Sequence, residues 1–174
     1  MAIEIRALRE SDDRTAFRSG DPELDRFFVR YAGQNQFRHH IGTTYVAVEA
    51  DRALGYATVA AGNLEADALP ITVRRTLPRY PLPVLRLARL AVDTTARRRG
   101  VGATLLRHVF VLALQMSQEY GCVGIVVDAK RDAVEFYARF GFSPLKISEG
   151  EIEARPKPTP MFLPLELVAA ALVP

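Results

Sequence analysis

Arg97-Arg98-Arg99-Gly100-Val101-Gly102 follows the apolar run Val84 to Val92 and precedes a helical pattern that starts at Ala103. The order reads strand, glycine loop, helix, with arginines on the loop. Such a junction builds an anion site, because glycines let the backbone approach a ligand and the first N–H groups of a helix lack internal partners. The helix dipole favours negative charge at the same place. Arginine forks add charge-assisted hydrogen bonds, each worth roughly 1.5–3 kcal/mol when partly desolvated. The ligand this predicts is a pyrophosphate. The spacing is neither that of the phosphate-binding loop G-x-x-x-x-G-K-[ST] nor the dinucleotide fingerprint G-x-G-x-x-G.

Outward from the loop, α and β patterns alternate. Leu105, Leu106, Val109, Phe110, Ala113 and Met116 form the apolar face of a long helix that Gly121 stops. Val123 to Val127 is a continuous apolar run bounded by turn signals, as in a central strand. Asp132 to Phe140 reads as a short helix ending at Gly141. On the other side, Ile3-Glu4-Ile5-Arg6 is strand-like, and Asp21-Pro22 is a helix start with Asp capping and Pro in the first turn. Leu24, Phe27, Phe28 and Tyr31 then share a helical face. Thr43 to Val48 and Leu54 to Ala60, joined by Glu49-Ala50-Asp51-Arg52, predict a hairpin. Pro70 to Pro83 is broken by prolines and reads as a loop with room for one short helix. Met161-Phe162-Leu163 is strand-like, and the tail ends apolar.

A chain of 174 residues, 49% apolar and 25% charged, fits one globular domain spanning 1–174. No apolar run approaches the roughly 20 residues of a membrane span. Met1-Ala2-Ile3-Glu4 does not open a signal peptide, so a cytoplasmic protein is expected. Cys122 is the single cysteine, which leaves no disulfide framework and no cysteine metal site. Net charge is only +3, yet Arg74, Arg75, Arg79, Arg86, Arg89, Arg97, Arg98, Arg99 and Arg107 crowd the middle third. Arginine forks suit phosphates.

The loop resembles the Gln/Arg-x-x-Gly-x-Gly/Ala element of the GCN5-related N-acetyltransferases (GNAT). Ala133-Val134-Glu135-Phe136-Tyr137-Ala138-Arg139-Phe140-Gly141-Phe142 resembles the A-x-x-F-Y-x-x-x-G-F element of the same superfamily. The resemblance implies an α/β fold with a mixed sheet flanked by helices and splayed between its fourth and fifth strands, where acetyl-coenzyme A lies. A narrower set, Phe17-Arg18-Ser19-Gly20, Leu24-Asp25, Ala32-Gly33-Gln34-Asn35-Gln36, Thr43-Thr44-Tyr45-Val46, Gly55-Tyr56 and Leu87 to Asp93, is similar to the acetyltransferase toxins of bacterial toxin–antitoxin pairs, the TacT, KacT and AtaT group. It covers residues 15 to 145, and no match extends past Ile147. That group implies acetylation of the α-amine of aminoacyl-tRNA to block translation, a ribbon-helix-helix antitoxin as partner, and a homodimer. The group often carries Gln where this chain has Arg97.

The resemblance assigns roles residue by residue. Tyr137 stands where the superfamily places its general acid, beside the coenzyme sulfur. Ordinary pKa values of about 10 for Tyr and about 8.5 for a thiol make the phenol a poor acid in water, so Tyr137 must act by hydrogen bonding to developing charge in a dry site. Core packing beside Phe136 is the other reading of the same residue. Leu90, Ala91 and Val92 would hold the pantetheine arm through backbone bonds. Gly100, Val101 and Gly102 would supply N–H groups to the pyrophosphate, with Arg97 and Arg98 as flanking charge.

No Glu or His lies in Val84 to Val92, and Asp93 at its end reads as a turn or capping residue. A lysine amine, pKa about 10.4, is roughly one-thousandth neutral at pH 7.4, whereas an α-amine near 7.7–8.0 is about a quarter neutral. A site lacking an obvious base therefore suits a low-pKa amine, with Glu49 or Glu65 acting through water as the other route. Arg75, Arg79, Arg86 and Arg89 are the expected tRNA contacts, with Arg30, Arg38, His39 and His40 extending the surface. No metal is expected. The alternatives are an acetyltransferase for a small-molecule amine or a protein N-terminus, and a coenzyme-A-binding regulatory module without turnover.

Overall fold

The computed structural model describes residues 2–145 and 157–173. Ile147, past which no match extends, lies outside the described residues. Seven strands form a sheet in the order β1-β2-β3-β4-β5-β7-β6. They are β1 (Glu4–Ala7), β2 (Thr43–Glu49), β3 (Arg52–Leu64), β4 (Leu82–Val92), β5 (Gly124–Ala129), β6 (Ser143–Pro144) and β7 (Thr159–Pro164). The helices are α1 (Pro22–Arg26), α2 (Ile71–Arg74), α3 (Val101–Glu119), α4 (Val134–Arg139) and α5 (Leu165–Leu172). The α/β class and the mixed, helix-flanked sheet agree with the expectation from sequence. The chain divides into two compact units, Met1–Ala60 with Leu87–Val109, and Ala61–Arg86 with Phe110–Pro174.

In the first unit β2 runs antiparallel to both β1 and β3, with Glu49 paired to Arg52 at the hairpin end. The turn residues Ala50 and Asp51 both take positive φ, 50° and 63°, the backbone handedness that matches strand twist in a two-residue hairpin. Thr44 faces Thr58 across the ladder, and their buried hydroxyls share a 2.8 Å hydrogen bond. Asp21 caps α1 by accepting from the N–H groups of Glu23 and Leu24. Beyond Arg26 the winding widens to π at Phe27–Tyr31 and again at Gln34–His39. Phe27 and Phe28 turn inward onto Tyr56, which is fully buried, stacks on Phe28 at 4.4 Å and donates its hydroxyl to the Leu24 carbonyl. Gly55 is required where β3 nears the loop region: a Cβ there would lie 2.9 Å from the Ala91 carbonyl and about as close to Val101 and Leu105.

In the second unit β7 lies between β5 and β6, antiparallel to both. Gly124 pairs with Pro164, and a Cβ on it would press on the Leu163 carbonyl and the Phe162 ring. Ala66, Leu69, Leu82, Val84, Val126 and Phe162 form the core of this unit. The Pro70 to Pro83 stretch contains the expected short helix, α2. Cys122 opens the approach to β5 as a buried thiol donating to the Gly124 carbonyl, and burial pushes its pKa up against two backbone hydrogen bonds that pull it down.

Candidate functional site

The glycine loop belongs to the first unit. After β4 the chain makes a short 3₁₀ turn, Thr94–Ala96, then passes through left-handed Arg98 (φ 64°) and Gly100 (φ 76°) into α3. The Gly100 carbonyl accepts the Thr104 N–H at 3.0 Å and the Thr104 hydroxyl at 2.9 Å, closing the first helical turn. The N–H groups of Val101, Gly102 and Ala103 lie before any intrahelical acceptor and point out of a 19-residue helix. A Cβ on Gly100 would meet nothing within 4 Å. Open space, free N–H groups and a long helix dipole fit a pyrophosphate.

The three arginines separate into distinct roles. The Arg97 guanidinium donates to the Ser19 carbonyl at 2.7 Å. Arg99 grips Glu49 with both terminal nitrogens, at 3.2 and 2.6 Å, and holds that exposed carboxyl below its ordinary range. Arg98 makes no hydrogen bond or ion pair with the described residues, and it is exposed beside the helix start. Its guanidinium is the loop cation left to meet an anion.

Beneath the loop lies Asp93, 3% exposed. It accepts from the Thr95 N–H (2.9 Å) and hydroxyl (2.7 Å), from the Arg18 N–H (3.0 Å) and from Arg52 (3.3 Å). Burial pushes its carboxyl upward, but the bonds from Thr95 and Arg18 and the Arg52 charge outweigh that and leave it below the usual carboxylate range. The Thr94 N–H donates to the Arg18 carbonyl at 2.8 Å, and the Asp93 N–H to that of Leu54. Gly20, with φ 96°, brings its backbone to within 3.0 Å (from a would-be Cβ) of the Arg97 guanidinium. Segment 18–20 and the start of the loop are thus one knot. Leu90, Ala91 and Val92 close β4 just before it, with Ala91 buried and its neighbours half-buried.

Tyr137 belongs to the second unit, on α4, 5% exposed and edge-on to Phe136 (5.2 Å) and Phe142 (5.4 Å). Its ring is therefore core, while its hydroxyl makes no hydrogen bond with the described residues. Burial pushes the phenol well above its ordinary pKa.

Of the expected acceptor arginines, Arg75 and Arg79 line one concavity of the second unit with Arg74, Asp67, Ile71 and Leu77. Arg86 pairs with Asp128 at 3.5 Å across β4 and β5. Arg89, in the first unit, lies 3.8 Å over the Phe27 ring, a cation–π contact that leaves its donors available. His39 and His40 are exposed, and among the described residues no group of three or more His, Cys, Asp or Glu side chains converges. No helix among them is long and apolar enough to cross a membrane. Glu49 is occupied by Arg99, and Glu65 is exposed before the turn Ala66–Ala68. His108 went unnoticed in the sequence. It sits on α3 against Tyr45 (4.6 Å) with its Nε2 buried and unpaired, and burial lowers its pKa.

A mixed sheet with a glycine loop feeding the N-terminus of the helix after β4 is the arrangement that the resemblance to acyl-coenzyme-A transferases implied. The acetyltransferase (GNAT) domain family matches residues 40–144, and the chain belongs to that family. A tRNA-acetylating toxin of Mycobacterium tuberculosis (strain ATCC 25618 / H37Rv) is 35% identical over 138 residues, 79% of this chain and 82% of that one. AtaT complexed with acetyl-methionyl-tRNAfMet superposes with a TM-score of 0.85 at 27% identity, covering 99% of this chain and 100% of that one. AtaTR bound with acetyl-coenzyme A superposes with a TM-score of 0.79, also at 27% identity, covering 98% of each.

Proposed function

We propose that this protein is an acetyl-coenzyme-A-dependent toxin that acetylates the α-amine of aminoacyl-tRNA and so blocks translation. The observation that carries the reading is the 35% identity, over most of both chains, to a tRNA-acetylating toxin. The coenzyme supplies an activated acetyl thioester when bound. The chain's own part begins with the N–H groups of Gly100, Val101 and Gly102 and the free guanidinium of Arg98, which take the pyrophosphate. Arg97 contributes by tying the loop to Ser19. The backbone of Leu90 to Val92 holds the pantetheine arm. Tyr137 donates a hydrogen bond to the thiolate as negative charge develops on sulfur. Desolvation that raises the phenol's pKa makes full proton release unfavourable but strengthens that hydrogen bond, a contribution of a few kcal/mol in a dry site.

The available carboxylates support an amine that needs no strong base. Asp93 is saturated with donors and Glu49 is held by Arg99, which suits an aminoacyl ester whose amine is substantially neutral at pH 7.4. Arg75, Arg79, Arg86 and Arg89 serve as tRNA phosphate contacts. The reading extends to residues 1–174 working as one catalytic domain in the cytoplasm, to a homodimer, and to a ribbon-helix-helix antitoxin.

The test offers the purified protein labelled acetyl-coenzyme A with charged tRNAs, the same tRNAs deacylated, and a panel of free amines. Label on charged tRNA alone is the expected result. Label on free amines alone would replace this reading with small-molecule acetylation.

A further inference from the structure

Residues 15–30 of the first unit enclose a basic concavity of about 420 Å³, separate in sequence from residues 97–102 and from the arginines of the second unit. Arg18, Arg26 and Arg30 line it, with Thr15, Asp25 and Val29 between them. Asp25 is its one carboxylate, and one of its oxygens is taken by the Ser19 N–H (2.9 Å) and hydroxyl (2.5 Å). Arg26 and Arg30 form no hydrogen bond or ion pair with the described residues. Arg18 donates to the carbonyls of Phe17 (2.8 Å) and Thr15 (3.2 Å), which fixes its head without cancelling its charge. Three cations therefore share one engaged anion, a repulsive arrangement that a bound polyanion relieves.

Two further observations bear on the place. Between Arg26 and Arg30 the winding changes from α to π at Phe27–Tyr31, a distortion that gathers at functional sites. The main chain of Arg18 is bonded on both sides to the coenzyme loop, its N–H to Asp93 and its carbonyl to the Thr94 N–H. These two bonds tie the concavity to the loop start within the first unit.

We propose that the Arg18, Arg26 and Arg30 concavity binds backbone phosphates of the RNA whose aminoacyl end is acetylated; the inference rests on the aminoacyl-tRNA reading above. Guanidinium forks need only phosphate oxygens, whereas a docked acidic peptide needs apolar anchors. Val29 and Pro22 are the only apolar side chains among the lining residues, and neither is the large buried anchor a peptide needs, so three guanidinium groups around one engaged carboxylate favour RNA phosphates.

The experiment compares wild type with Arg26→Gln/Arg30→Gln, reading KM for charged tRNA across a salt series, with acetyl-coenzyme-A affinity and thermal midpoint as controls of the fold. The double variant is expected to raise KM about tenfold near physiological salt and to lower the log–log salt slope by about 2. Arg26→Lys/Arg30→Lys, which retains both charges, should keep most of the slope and decides the matter if the glutamine variant is unstable. Unchanged KM and slope, with wild type active on charged tRNA, overturn this inference alone. RNA kinetics unchanged but antitoxin affinity lost also overturn it and give the surface to a protein. A wild type inactive on charged tRNA overturns the toxin reading and this inference together.

Discussion

Asp93 gathers four donors on one buried carboxylate, and two of the groups it holds lie on segments 75 and 41 residues away. Replacing it by alanine leaves the part-buried Arg18 and Thr95 N–H groups without their acceptor. Asp93→Ala should cost about 3 kcal/mol, a fall in midpoint of about 6–12 °C, and should also raise the KM for acetyl-coenzyme A; calorimetry with steady-state kinetics checks both. His108 gives a pH signature. Its folded pKa is depressed by burial, so its neutral form is favoured on folding, and this stability is present above the unfolded value of about 6.5 and lost as pH falls through the lower folded one. The Asp93 carboxyl, held below the usual carboxylate range, titrates at lower pH than this window. Between pH 7.5 and 5, therefore, the midpoint of the wild type should fall further than that of His108→Gln; equal falls would remove His108 from the account. At residue scale the capping role of Asp93 was legible, because Asp before Thr-Thr-Ala is a local signal. The pairings of Arg97 with Ser19 and Arg99 with Glu49 were not, since each spans fifty residues or more of sequence.

Among the elements, those with a clean period were legible: the apolar stripe of α3, the hairpin of β2 and β3, and the continuous run of β5. The Asp21-Pro22 start appeared where capping chemistry put it. What escaped was geometry without a pattern. No composition announces π winding at Phe27–Tyr31, and Ala50 in a left-handed turn contradicts its own preference, because strand twist in the hairpin overrides it. The β5–β7 pair supplies a prediction at this scale. Gly124→Ala places a methyl against the Leu163 carbonyl and 2.7 Å from the Phe162 ring, and both belong to the strand it must pair with. The variant should lose about 3 kcal/mol or more in denaturant unfolding. Gly100→Ala meets no atom within 4 Å and carries only the left-handed backbone penalty, about 1 kcal/mol. The contrast between the two tells steric crowding from conformational strain.

For the whole molecule, the glycine loop was legible from its spacing, whereas the arginines expected to meet RNA carry no pattern that groups them. Glycine loops announce themselves by spacing, whereas a surface that tracks phosphates is assembled from arginines with no fixed interval. Arg75 and Arg79 do converge, but Arg86 and Arg89 take other partners, Arg26 was not singled out, and Arg18 entered only within the matched segment Phe17 to Gly20. Coenzyme binding offers a global readout. At about a hundredfold excess over its dissociation constant, acetyl-coenzyme A should stabilise the fold by about 2.7 kcal/mol and raise the midpoint by about 5–10 °C. Arg98→Gln should shrink that rise while leaving the ligand-free midpoint in place, measured by scanning fluorimetry.

Cys122 equips the protein with its own clock. As the single thiol in the chain, buried and with its proton held more tightly than usual, it is closed to alkylating reagents while the second unit stays folded. A pulse of iodoacetamide followed by mass measurement then counts, in one peak, the molecules that have opened. The same count, repeated with coenzyme, RNA or antitoxin present, reports which of them holds the fold shut.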